Sequence, residues 1–110
     1  MKTLLPLLLV VSLLGCSRKA APSSVRITNT TQTNVLTLLS PHQNVSGLTL
    51  HIHGHIDGTG YVSAANWPTQ ALTGAVDWRI YHDWFQTNCV IHYQPAEVRN
   101  ESLIVDYEFH

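Results

Sequence analysis

The chain has 110 residues, of which 45% are hydrophobic, 8% aromatic and 12% charged, with a formal net charge of −1. That length excludes a doubly wound nucleotide-binding fold, a large barrel and a multidomain enzyme, and leaves room for one small core. Charged residues at about half the usual quarter of a soluble domain leave Ser, Thr, Asn, Gln and His to carry the polar surface, and no basic field exists to attract nucleic acid.

Met1-Lys2-Thr3 supplies a short positive start, followed by an apolar run from Leu4 to Leu14. The run is far shorter than the roughly 20 residues a membrane-spanning helix needs, so it reads as the core of an export signal. It closes on Leu13-Leu14-Gly15-Cys16, which resembles the lipobox of bacterial lipoproteins: an aliphatic residue, a tolerated second position, a small residue, then the Cys. The resemblance covers the first sixteen residues. It implies that residues 1–15 are removed as a signal peptide and that Cys16 becomes a lipidated N-terminus carrying acyl chains such as palmitate. Ser17 stands where an inner-membrane retention signal would have Asp, which implies transfer to the outer membrane with the domain facing the periplasm. An ordinary secretory signal with an incidental Cys is the alternative. Each buried methylene contributes about 0.8 kcal/mol, so two or three acyl chains anchor a domain that is itself soluble.

Residues 16–25 are expected to form the lipidated Cys and a flexible tether, and residues 26–110 a single β domain. The tether holds Arg18 and Lys19, whereas from Val25 onward the only basic residues are Arg26, Arg79 and Arg99, against seven carboxylates. The domain is therefore mildly acidic and free of lysine, which argues against a second, electrostatic membrane contact. If Cys16 carries lipid, Cys89 is the sole remaining thiol and no internal disulfide can form. In an oxidising envelope such a thiol is safest buried, and the expected role of Cys89 is that of a small core hydrophobe.

In chain order, Val35 to Leu39 is a short apolar strand flanked by Asn34 and Pro41. Leu48, Leu50, Ile52 and Ile56 alternate with Thr49, His51, His53, His55 and Asp57, the period of a half-buried strand. Asp57-Gly58-Thr59-Gly60 then predicts a tight hairpin into Tyr61 to Ala65. Asn66 to Thr69 is the next turn, and Gln70 to Trp84 a long strand with Val76, Trp78 and Ile80 on one face and Asp77, Arg79 and Tyr81 on the other; Gly74 predicts a bulge or break. The Cys89 strand follows, Pro95 to Asn100 reads as a turn, and Leu103, Val105, Tyr107 and Phe109 form a last alternating strand. Six or seven antiparallel strands predict an all-β sandwich or small barrel. Trp78, Trp84, Phe85, Tyr93, Tyr107 and Phe109 are its expected large core pieces, and Trp67, beside Pro68 in a turn, is an expected exposed contact residue.

The sharpest chemical feature is His51-Ile52-His53-Gly54-His55. Alternate strand residues share a face about 7 Å apart, and two such imidazoles converge on Zn or Cu if a neighbouring strand supplies a third ligand. His92, Asp106 and Glu108 are the candidates for it. The residue types are similar to the His-x-His-x-Asp-His element of metallo-β-lactamases, but the order differs and the chain is too short for that fold, so no function is carried over. The bland alternative is a polar strand face in a domain short of charge. Clustered imidazoles would also gain charge together in mild acid.

No nucleophile elbow, phosphate loop, Cys-x-x-Cys or carboxylate dyad is found in the sequence, and an enzyme is not expected. Two functions remain. The favoured one is a lipid-anchored envelope protein, accessory or inhibitory, whose β domain binds a protein partner or cell-surface component through an exposed apolar patch or open edge near Trp67 or Val35 to Leu39. The other is a Zn- or Cu-binding lipoprotein using His51, His53 and His55 with His92.

Overall fold

The computed structural model describes residues 23–99 and 101–110, so the signal-peptide and Cys16 expectations lie outside the described residues. Among these residues there is no helix. Six antiparallel strands, β1 (Ser23–Ile27), β2 (Asn34–Leu39), β3 (Gly47–Ala64), β4 (Gln70–Asp83), β5 (Asn88–Val98) and β6 (Ser102–Phe109), build one sheet that curls nearly closed, a small all-β barrel or sandwich as the alternation predicts.

β3 organises the molecule. Its 18 residues run past β4 along one edge for almost their full length. Along the other edge, its first half (Leu48 to His55) pairs with β6 and its second half (Gly58 to Ala64) with β5. β1 extends the β6 side and β2 the β5 side, in the order β1-β6-β3-β5-β2. The two halves fold over one core of buried apolar side chains: Leu50, Ile52 and Ile56 from β3, Leu103 and Val105 from β6, Ile91 and Tyr93 from β5, Leu38 from β2 and Ile27 from β1. Each such side chain contributes about 1.5–3 kcal/mol on leaving water.

The hairpin expected at Asp57 to Gly60 is not formed. The chain runs straight through, with a bulge in the β3–β4 register between Ile56 and Thr59 and a second slip against β5 between Thr59 and Gly60. The glycines serve close approach. A Cβ on Gly58 would lie 1.6 Å from the Glu97 carbonyl oxygen, and Gly58 adopts φ +130°. Gly74, at φ +63°, sits opposite the bulge, and the Thr73 hydroxyl donates to the Gly58 carbonyl at 2.9 Å. The reversal falls instead at Ala65 to Trp67, where the Trp67 amide donates to the Ala64 carbonyl.

Three further expectations change. Pro95 to Val98 is strand rather than turn, tolerated because Pro95 lies at the register slip, where a missing N–H is harmless. Ser23, Ser24 and Val25, read as the end of the tether, are strand residues of β1. Phe85 is 75% exposed and contributes nothing to the core, since it falls past the end of β4. Tyr93 and Phe109 are buried, and Trp78, Trp84 and Tyr107 pack partly buried against the core. The Tyr93 hydroxyl donates to the buried Thr30 carbonyl at 2.8 Å, pinning the β1–β2 connection to β5.

Candidate functional site

Alternation along β3 sends His51, His53 and His55 outward opposite Leu50, Ile52 and Ile56. The flanking strands then decide what each imidazole meets. Register sets Asp106 of β6 and Arg79 of β4 directly beside His51, and Asp77 beside His53. The side chains lean diagonally. His51 Nε2 donates to Asp77 Oδ1 at 2.6 Å, and His53 Nε2 to Asp106 Oδ2 at 2.8 Å. Arg79 Nη2 donates to His51 Nδ1 at 3.3 Å.

The His51 and His53 rings stack with centroids 4.6 Å apart and planes 28° from parallel, closer than the extended-strand spacing of about 7 Å. Asp106 Oδ2 lies 3.9 Å from His51 Nδ1. His51, His53 and Asp106 thus present three ligand atoms all within 4.8 Å of one another. The Ser24 hydroxyl donates to the other oxygen of Asp106, and this bond, with that from His53, holds the Asp106 carboxyl below the usual carboxylate range against the opposing effect of burial. The bond from His51 holds the exposed Asp77 carboxyl down in the same way. A shallow depression of about 200 Å³ opens beside His51 and Asp106, lined further by Thr49, Arg79, Tyr107 and Glu108.

His55 is not part of this cluster. One register position beyond Gly54 (φ +141°), it pairs with Glu101 through Nδ1 at 3.1 Å. His92 is not part of it either: on β5 it stands opposite Ser63, at the far end of β3. Of the three proposed third ligands only Asp106 is brought to the pair, while Glu108 stays on the rim of the depression. Asp77 and Ser24 went unrecognised in the sequence as partners of the site.

Trp67 is not an open contact residue. It is partly buried, stacked on His82 with ring centroids 4.1 Å apart and edge-on to Trp84. Exposed aliphatic side chains lie instead on β2, where Val35 and Leu39 are 59% and 64% exposed; Phe85, Tyr81 and Tyr61 are exposed aromatics elsewhere. Among the described residues β2 pairs only with β5, and its other edge is open. Cys89, on the adjacent strand, is 1% exposed, and burial pushes its thiol up to about 11.

Comparison with protein-family models, with curated proteins and with solved structures finds no match for the chain.

Proposed function

We propose that the protein is a non-enzymatic, lipid-anchored component of the cell envelope, attached through Cys16 at the outer membrane and facing the periplasm. Its β domain binds a protein partner by accepting an extended segment along β2. The observation that carries this reading is the contrast among the three sheet edges that the described residues leave unpaired. Open edges are normally blunted by charge, proline or bulges. β4 carries Asp77, Arg79 and Asp83 and the Gly74 irregularity, and β1 is five residues long with Arg26 at its centre-right. β2, Asn-Val-Leu-Thr-Leu-Leu, has no charge, no proline and no bulge, and exposes Val35 and Leu39.

A strand added there would gain main-chain hydrogen bonds along β2, with Val35, Thr37 and Leu39 reading alternate side chains. The occupant that fits is an extended, uncharged segment with apolar or β-branched residues at every second position. The lipobox resemblance supports the anchor, and the buried, high-pKa thiol of Cys89 argues against a nucleophilic role for that residue, because the thiolate is the nucleophile.

The test is a photo-crosslinking residue placed at Thr37 of the full chain in the cell that makes it, with Thr73 on β4 as control. A discrete adduct with one other envelope protein from Thr37 alone is expected. No adduct, an adduct with a second copy of the chain, or the same products from both positions would contradict the reading.

A further inference from the structure

We propose that His51, His53 and Asp106 form a binding site for one divalent transition ion of the zinc and copper class, independent of whatever docks on β2. The ligand atoms are His51 Nδ1, His53 Nε2 and Asp106 Oδ2. Tetrahedral zinc with bonds of 2.0–2.1 Å sets its ligands about 3.3 Å apart. The separations from Asp106 Oδ2, 2.8 Å to His53 and 3.9 Å to His51, bracket that value. Small rotations of side chains that are 20–34% exposed are enough to close the set.

The surroundings are those of a metal site rather than of an incidental pair. A ligating histidine commonly donates its other ring N–H to a carboxylate, which orients the ring and raises its basicity. His51 already does so, through Nε2 to Asp77, which leaves Nδ1, now accepting only from Arg79, as the nitrogen that would bind the ion. The ligating carboxylate is held in turn by the Ser24 hydroxyl from β1. Four strands therefore converge on one point, with the two imidazoles supplied by β3 and the acid by β6. Imidazole and carboxylate together select zinc, copper or nickel over calcium or magnesium.

One group competes for the place. Arg79 donates to the same His51 Nδ1 that would bind the ion, so its guanidinium acts as a resident cation that must swing outward. Binding also replaces the proton shared by His53 and Asp106. Three protein ligands leave the fourth position open to water or to a ligand from another molecule, as suits a carrier or a metal-dependent contact. His55 and His92 take no part.

The test titrates zinc chloride alone, then a copper(II) salt alone, into the tag-free full chain in detergent micelles by calorimetry. One ion per chain is expected, with copper tighter than zinc. His53→Gln and Asp106→Asn should each weaken binding about tenfold or more, and Asp77→Asn by about tenfold through the orientation of His51. Arg79→Ala should tighten it several-fold, because the competing cation is gone. His55→Gln and His92→Gln should leave it unchanged. Absence of binding, equal losses from His55→Gln and Asp106→Asn, or weaker binding in Arg79→Ala would overturn the proposal. Arg79 is exposed and outside the core, so that arm reads out even if a ligand variant fails to fold. Zinc should also raise the thermal midpoint of the unmodified chain, a readout that needs no substitution.

Discussion

His53 reaches Asp106 across the β3–β6 ladder although the residue opposite Asp106 is His51. The bond is a diagonal one, and it is possible because Ser24 on β1 holds the far oxygen of the carboxylate and leaves Oδ2 turned toward β3. Diagonal and direct cross-strand pairs contribute about 0.2–1 kcal/mol each relative to alanine. A double-mutant cycle of His53→Ala and Asp106→Ala in metal-free protein, followed by urea unfolding, should give a coupling energy in that range. A coupling of zero would mean that the two side chains are solvated separately.

That half-buried surface pair is a poor place to look for fold stability, and the bulge is a good one. Gly58→Ala forces a Cβ to within 1.6 Å of the Glu97 carbonyl and does so at φ +130°. Backbone strain of this kind costs of the order of 1–3 kcal/mol before the clash is added. The expected outcome is a large fall in the urea midpoint with β5 the first element to lose protection. A neutral Gly58→Ala would contradict the continuous β3 strand and favour a hairpin at this point.

The aromatic assignments separate just as cleanly. Phe85 is 75% exposed, so Phe85→Ser should change stability by no more than about 0.5 kcal/mol. Trp67 packs between His82, Trp84 and the core, and Trp67→Ala should cost about 2–3 kcal/mol, somewhat less than a fully buried tryptophan. Thermal or urea unfolding of the two variants side by side distinguishes them.

Cys89 gives the pH dependence. Burial raises its thiol from 9.0 to about 11 in the folded chain. A group whose folded value lies above its unfolded one contributes stability that is complete below the unfolded value and is lost as pH rises through the folded value. Wild-type stability should therefore decline between about pH 9 and 11, and the decline should be shallower in Cys89→Ala. A thiol-reactive chromophore at pH 8 should leave the native chain unlabelled and label it fully in urea; rapid native labelling would show an open thiol.

Much of this architecture was legible in the residues. The alternation of Leu48, Leu50 and Ile52 with Thr49, His51 and His53 fixes which face of β3 is wet, and the outward placement of Asp77 and Arg79 follows from the same period on β4. What misled was glycine. A turn and a bulge both require a residue without a Cβ, so Gly58 and Gly60 suit either, and the choice depends on β5 approaching from far along the chain. Taking Asp57 to Gly60 as the turn ended β3 too early and hid the register that sets His51 against Arg79 and His53 against Asp77. The separation of His92 from the other histidines has the same origin. It depends on which half of β3 pairs with β5, a long-range pairing that no local pattern records.

The most direct test of the proposed docking is amide hydrogen exchange of the lipidated full chain in envelope membranes, compared with the same chain purified in detergent. Edge amides of β2 that face away from β5 exchange freely unless a strand is added there. The account predicts new protection along Asn34–Leu39 in the membranes, with the outer edge of β4 unchanged. Equal exchange of β2 in the two preparations, or protection appearing on β4 instead, would contradict it.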